Sequence, residues 1–315
     1  MTNSKLKLFS ANANQPLAAE IADYLGISVG DSKMTTFKDG ELFLEIGESV
    51  RGADVYLVQP TCYPVNDHMM ELLIMIDAMR RASAYRLTAV IPYYGYARQE
   101  RKTKARDPIT AKLMANLLMA AGADRMIAID LHASAIEGFF DIPVDHLPGV
   151  PLLAEYYKTL PKDNLVVVSP DLGGVTRARN LANRLGVDIA IIDKRRPAAN
   201  QAEIMHVIGD IAGKNVIMVD DMIDTGGTIT KGASVLREMG AKDIYVCCTH
   251  AVFSPPALER LENSVIDHVL TTNTIPIDNA RQGQCSKIKV LSVAPLLGEA
   301  IIRIHENLSV SRLFD

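Results

Sequence analysis

The chain has 315 residues, 48% of them hydrophobic, with 33 Lys and Arg against 37 Asp and Glu. That is enough apolar sequence for two modest cores, and a net charge of -4 argues against nucleic-acid or anionic-membrane binding, which favours a basic surface. Cys62, Cys247, Cys248 and Cys285 have neither metal nor disulfide spacing, and no run has signal-peptide or transmembrane character, so packed thiols in a reduced cytoplasm are expected.

In chain order, Asp39-Gly40 reads first, as a hairpin turn. Short β-branched runs then fall at 55–59, 87–91, 126–130, 165–169, 189–193, 216–219 and 244–249. Helical spacing occupies 66–81, 109–121, 174–185 and 228–239. This alternation predicts an α/β fold of mainly parallel sheets flanked by helices. Residues 115–133 align without gaps on 233–251, matching Leu118 to Leu236, Gly122 to Gly240 and His132 to His250. Two tandem related domains are therefore expected, 1–148 and 149–315, divided near Gly149, with the last helix a candidate to pack back on the first.

The most informative segment is Asp220-Asp221-Met222-Ile223-Asp224-Thr225-Gly226-Gly227-Thr228, between the strand ending at Val219 and the helix starting at Thr228. A loop at a strand's carboxyl end is where open α/β sheets place ligands. Thr225, Gly226, Gly227 and Thr228 can aim successive N–H groups at an anion beside the positive end of a helix. Gly227 keeps that cradle open, since a Cβ would hold the anion away from the backbone. Asp220 and Asp221 repel phosphate but suit vicinal hydroxyls or a Mg²⁺ beside it. Together these features describe a ribose 5-phosphate unit. An acidic turn capping a helix is the plainer alternative.

Other candidates are weaker taken singly. His132 and Asp171 each follow an apolar run and can meet at a divalent cation carrying phosphate oxygens, although Asp171 before Gly173-Gly174 also reads as a helix cap. Basic residues cluster at 98–106 and 194–196. Lys194 and Arg196 are expected just past their strand, on a loop able to fold over a triphosphate. Arg98 and Gln99 suit an adenine nucleotide, and Phe37 can stack on a base.

Five further segments carry a family likeness: Phe37-Lys38-Asp39-Gly40-Glu41, Tyr96-Ala97-Arg98-Gln99-Glu100-Arg101, Asp130-Leu131-His132-Ala133, Ser169-Pro170-Asp171-Leu172-Gly173-Gly174 and Asp193-Lys194-Arg195-Arg196-Pro197. With the 220–228 segment, they resemble ribose-phosphate pyrophosphokinases (PRPP synthetases) of bacterial class I type, over 7–314 and in the family's order. The resemblance implies two phosphoribosyltransferase-like domains and transfer of the diphosphoryl group of ATP to ribose 5-phosphate with Mg²⁺. It assigns catalysis to Lys194 and Arg196, ATP to Phe37, Asp39, Gly40, Glu41, Arg98 and Gln99, and Mg²⁺ to His132 and Asp171. Ribose 5-phosphate falls to Arg196, Asp220, Asp221, Asp224, Thr225, Gly226, Gly227 and Thr228. It further implies a homohexamer, with phosphate and ADP acting through Arg51, Ser83, Arg106, Ser309 and Ser311. Asn is expected where the chain has His146, and Asp where it has Glu100. A phosphoribosyltransferase would explain the 220–228 loop but not the duplicated first domain. A non-catalytic regulatory relative would be expected to lose motifs that stand here.

Overall fold

Runs of buried β-branched residues form the central strands. The structure, a computed structural model, describes residues 4–161, 164–195 and 204–313, and the side chains of residues 194, 195 and 204 lie outside that description. The chain divides into two compact units, residues 1–148 with 274–276 and 292–315, and residues 149–273 with 277–291.

In chain order the first unit contains β1 (Leu6–Ser10), α1 (Gln15–Leu25), β2 (Ser32–Thr36), β3 (Leu42–Ile46), β4 (Asp54–Val58), α2 (Val65–Arg81), β5 (Arg86–Ile91), α3 (Thr110–Ala121), β6 (Arg125–Ile129) and β7 (Val144–Leu147). The second contains α4 (Val150–Tyr157), β8 (Leu165–Ser169), α5 (Val175–Leu185), β9 (Asp188–Arg195), β10 (Ile204–Ile208), β11 (Asn215–Ile223), α6 (Gly227–Glu238), β12 (Ile244–Ala251), α7 (Ala257–Glu262), β13 (His268–Thr272), α8 (Asn279–Gln282) and β14 (Ile288–Leu291). The last helix, α9 (Ala294–His305), returns to the first unit.

The first unit's main sheet runs β1-β4-β5-β6-β7, all parallel, with β2 and β3 as a separate antiparallel hairpin. Every residue of β4 is buried, as a parallel strand covered on both faces requires. One core joins Val55, Leu57, Ala89, Ile91 and Met126 to Leu72, Ile76, Ala115 and Leu118 of α2 and α3. Helix α9 packs on α1 so closely that a Cβ at Gly298 would stand 2.3 Å from the Tyr24 ring. It is also fixed at the sheet's amino edge. Asp54, 1% exposed, accepts from Arg86 Nε at 2.8 Å and Nη2 at 2.5 Å and from His305 Nδ1 at 2.7 Å. Burial would raise this carboxyl, but those hydrogen bonds hold it below the usual carboxylate range.

The second unit's sheet runs β10-β9-β8-β11-β12-β13-β14, with only β10 antiparallel. Alternating residues divide between its faces. Val166, Val168, Met218 and Cys248 pack with Ile229 and Leu236 of α6, whereas Val167, Ile217, Val219 and Cys247 pack with Leu153 of α4 and Leu181 of α5. Cys247 and Cys248 thus serve separate cores, and all four cysteines are free and buried. The chain moves outward from β8 to β9, then returns to place β11 on the other side of β8. That reversal is a topological switch point, with its ligand crevice at the carboxyl ends of β8 and β11. The internal repeat falls on α3–β6 and α6–β12, and in both units a glycine of positive φ ends the helix, Gly122 at 113° and Gly240 at 91°.

Two sequence expectations need correction. The strand expected to end at Val219 continues to Ile223, because β12 goes on pairing it through Asp220 with Cys248, Met222 with His250 and Ile223 with Ala251. Asp220 and Asp221 therefore sit in a strand, not a loop. Likewise, Lys194 is not beyond its strand. Antiparallel β10 extends β9 through Arg195, pairing Met205 with Lys194 and Ile204 with Arg195.

Candidate active site

At the switch point, β8 pairs with β11 only as far as Met218. Beyond it, Arg177 of α5 meets the acidic pair. Its Nη1 lies 3.1 Å from Asp220 Oδ1 and its Nη2 3.5 Å from Asp221 Oδ1. The Asp221 N–H also donates to Asp220 Oδ1 at 2.9 Å. Burial pushes the Asp220 carboxyl up to about 7, adjacent Asp221 pushes the same way, and Arg177 opposes both. The pair offers hydrogen-bond acceptors suited to neighbouring hydroxyls.

Immediately beyond, Gly226 takes a left-handed φ of 73° and α6 starts at Gly227, with no side chain capping its first turn. Free N–H groups at a helix start, backed by the helix dipole, favour an anion. The positive φ of this turn belongs to Gly226; Gly227 already has helical backbone. Gly227 matters instead for space, since a Cβ there would lie 3.3 Å from Arg260 Nη1. That guanidinium, from α7, donates to the Thr225 carbonyl at 3.0 Å. Asp224 is half-buried, and Thr225 and Thr228 are exposed.

Asp171 follows β8 on the other side of the crevice. Its Oδ1 accepts the Gly174 N–H at 2.9 Å, and its carbonyl accepts from the Ser169 hydroxyl at 2.6 Å. It therefore shapes the turn into α5, as a cap-like reading anticipates, while its second carboxylate oxygen has no hydrogen-bond partner among the described residues. The Lys194 side chain and the whole of Arg196 lie outside the described residues.

In the first unit, exposed His132 lies just beyond β6. The preceding Leu131 N–H donates to His146 Nε2 at 2.8 Å, and His146 Nδ1 meets Glu137 Oε1 at 2.6 Å. Those partners place the imidazole proton on Nδ1. His146 thus holds the chain at His132, a role its sequence position does not announce. Beyond β4 and β5 opens a cleft of about 450 Å³ lined by Tyr63, Asn66, Tyr93, Tyr96, Arg98 and Gln99. The Gln99 Oε1 accepts from the Thr110 hydroxyl at 2.6 Å, and the Tyr96 hydroxyl donates to Asn66 Oδ1.

Phe37, Asp39, Gly40 and Glu41 form the tip of the β2–β3 hairpin and do not line this cleft. The Phe37 N–H donates to the Glu41 carbonyl at 2.7 Å, Gly40 has φ 98°, and Asp39 Oδ1 accepts the Glu41 N–H at 3.1 Å. Phe37 is 52% exposed. Arg51 and Ser83, far apart in sequence, become neighbours, since the Gly52 N–H donates to the Ser83 carbonyl at 2.8 Å. The Ser309 and Ser311 hydroxyls lie 2.6 Å apart. Arg106 stands exposed ahead of α3. Among the described residues, no three His, Cys, Asp or Glu side chains converge as a metal cage. Nor is any helix among them long and apolar enough to cross a membrane.

A parallel switch-point strand that carries paired carboxylates into an uncapped helix start defines an α/β enzyme for sugar phosphates. Residues 6–122 match the model for the N-terminal domain of ribose phosphate pyrophosphokinase, and residues 196–315 match the phosphoribosyl synthetase-associated domain. The ribose-phosphate pyrophosphokinase of Clostridium tetani is 60% identical over 98% of this chain and 97% of its own, and that of Bacillus subtilis 57% identical over 99% and 98%. A crystal structure of phosphoribosylpyrophosphate synthetase from Mycobacterium smegmatis superposes with a TM-score of 0.92 at 44% identity, covering 96% of this chain and 100% of that one. The chain belongs to the ribose-phosphate pyrophosphokinase (PRPP synthetase) family.

Proposed function

We propose that the chain transfers the diphosphoryl group of ATP to the 1-hydroxyl of ribose 5-phosphate, giving 5-phosphoribosyl 1-diphosphate and AMP for nucleotide biosynthesis. The supporting observation is the second unit's 220–228 segment, where two carboxylates precede a left-handed turn at Gly226 and an uncapped helix start. A pentose 5-phosphate has the matching order, with hydroxyls at one end and a dianion at the other. Backbone N–H groups of Thr225 to Thr228 hold the 5-phosphate, and the family resemblance assigns Arg196 to the same substrate. Asp220 and Asp221 accept the ribose hydroxyls, and Asp224 belongs to the same ribose 5-phosphate segment. A phosphoribosyltransferase would need this segment but not the first unit's cleft, where Arg98 and Gln99 serve ATP and the Phe37–Glu41 hairpin of a neighbouring subunit completes the site, so that assembly is required for activity.

In the reaction the sugar's 1-oxygen attacks the β-phosphorus of ATP. The bond from β-phosphorus to the α,β-bridging oxygen breaks, the 1-hydroxyl proton leaves, and the electron pair departs on AMP. Lys194 and Arg196 neutralise charge building on the transferred group and on AMP, and so act mainly in the transition state. No side chain is assigned as general base. The Asp171 carboxylate and the His132 imidazole suit Mg²⁺, which keeps its own waters and substrate phosphates more often than it enters an all-protein cage. When bound, Mg²⁺ supplies charge neutralisation on the phosphate oxygens. Phosphate and ADP act through Arg51, Ser83, Arg106, Ser309 and Ser311 of a homohexamer in the cytoplasm; the approach of Arg51 to Ser83 supports that grouping. In the test, purified protein is given ATP and Mg²⁺ with and without ribose 5-phosphate. AMP release only with the sugar phosphate is expected, and sugar-independent AMP or ADP would overturn the reading.

A further inference from the structure

The second unit's phosphate turn is held by a side chain that the family motifs leave unassigned. The Thr225 carbonyl and the Gly226 N–H belong to one trans peptide, so they point in opposite directions. Arg260 Nη1 donates to the Thr225 carbonyl at 3.0 Å. With the carbonyl turned to that guanidinium, the Gly226 N–H turns the other way, where it donates to no acceptor among the described residues. It is left, with the uncapped first N–H groups of α6, for an anion. Gly226 does not fix this orientation by itself. A φ of 73° suits glycine, but the same freedom lets the peptide turn over, and a reversed peptide would aim an oxygen at the phosphate. The base of Arg260 is rigid, although its side chain is exposed. Leu258 and Leu261 of α7 lie in the core that holds Ile229 and Leu236 of α6. Ala257 backs the turn itself, since a Cβ at Gly226 would stand 3.5 Å from the Ala257 Cα and carbonyl oxygen. The chain entering α7 is tied down at Phe253, whose N–H donates to the Ile223 carbonyl at 2.9 Å and whose carbonyl accepts from Arg281 Nη2 at 2.9 Å.

We propose that Arg260 is a positioning residue for ribose 5-phosphate, holding the Thr225–Gly226 peptide with its carbonyl outward and its N–H toward the 5-phosphate. This rests on the reading of residues 225–228 as the phosphate cradle. The guanidinium acts on the backbone rather than on the phosphate. Its hydrogen bond stands without substrate, so it removes a reorganisation that binding would otherwise require. One hydrogen bond from a charged donor corresponds to about a tenfold change in affinity. The 5-phosphate lies at the far end of the sugar from the reacting 1-oxygen, so the loss falls on binding and leaves kcat unchanged.

The test combines calorimetric titration of ribose 5-phosphate with steady-state kinetics on the full-length protein, for Arg260→Ala, Arg260→Lys, Gly226→Ala and the double variant Arg260→Ala/Gly226→Ala. For Arg260→Ala, the Kd and KM for ribose 5-phosphate should rise about tenfold, with kcat and the KM for ATP within about twofold of the parent. Arg260→Lys keeps a donor of similar reach and should recover most of that loss. Gly226→Ala strains the left-handed φ beside the same peptide, so the double variant should bind no more weakly than the weaker single variant. An affinity for ribose 5-phosphate within about twofold of the parent in Arg260→Ala, an equal rise in both KM values, or no recovery in Arg260→Lys would overturn the assignment. So would additive losses in the double variant, which would put the guanidinium on the phosphate itself. Gly227→Val separates this assignment from the cradle reading. If it abolishes sugar-phosphate binding while Arg260→Ala is silent, only Arg260 is wrong. If both are silent, the 5-phosphate binds elsewhere.

Discussion

Replacing Arg177 with Met removes the guanidinium that faces both Asp220 and Asp221 while nearly preserving volume. The three side chains are only 19%, 24% and 5% exposed, so the loss exceeds that of a surface pair. Breaking a buried ion pair from one side costs about 3–5 kcal/mol, and partial solvation of Arg177 and Asp220 reduces this to about 2–3 kcal/mol. The cost depends on pH through Asp220. Its folded-state pKa, about 7, lies above the ordinary 3.8, so the stability it contributes is present at low pH and lost as pH rises from about 4 through about 7. Arg177 lowers that pKa, so without it the loss extends above neutrality. The gap between parent and variant should therefore widen from pH 5.5 to pH 8.5. At the higher pH it should approach about 5–10 °C in the melting of a unit this size. The assay is a thermal melt at both pH values, with chelator and without substrates. An equal gap at the two pH values, or a larger one at pH 5.5, would refute the proposed electrostatics.

Lys194→Ala should lower kcat by several orders of magnitude while ribose 5-phosphate still binds by calorimetry; near-parental turnover would remove Lys194 from catalysis. Asp171→Asn retains an oxygen for the Gly174 N–H but loses the charge, so it should weaken Mg²⁺–ATP binding and leave the melting midpoint within a few degrees. If titrations show equal losses for ATP and ribose 5-phosphate, Asp171 serves only the turn. Gly227→Val would push against Arg260 and fill the anion cradle, abolishing ribose 5-phosphate binding while ATP binding persists; an unchanged sugar-phosphate affinity would place the phosphate elsewhere. Arg51→Ala should blunt activation in a phosphate titration, and activity should fall with dissociation when light scattering is followed on dilution. A fully active monomer would contradict the required assembly.

The elements most legible in sequence were those whose burial is continuous. Residues 165–169 read as a strand because both faces of β8 are covered, leaving an unbroken apolar, β-branched run. Strand β10 has no such mark, and it exists by pairing with β9, so the end of β9 was misplaced with it. The end of β11 was misplaced for a related reason. Acidic residues suggest a loop, yet β12 carries the ladder past Asp220 and Asp221, and their charges are met by Arg177. Arg177 and Arg260 look like ordinary helix-surface cations in one dimension. Only the packing of α5 and α7 against the strand ends brings them to the acidic pair and the phosphate turn. His146 is similar, since its value lies in a hydrogen bond to the backbone beside His132. The glycine-rich turn was legible because it is local.

The central claim is transfer of an intact diphosphoryl group, and phosphorus NMR during turnover of ATP with ribose 5-phosphate and Mg²⁺ tests it most directly. The account predicts that the β- and γ-phosphorus resonances of ATP move together to a sugar diphosphate as AMP appears in equal amount. Appearance of ADP with a singly phosphorylated sugar, or of free diphosphate with no sugar adduct, would contradict it.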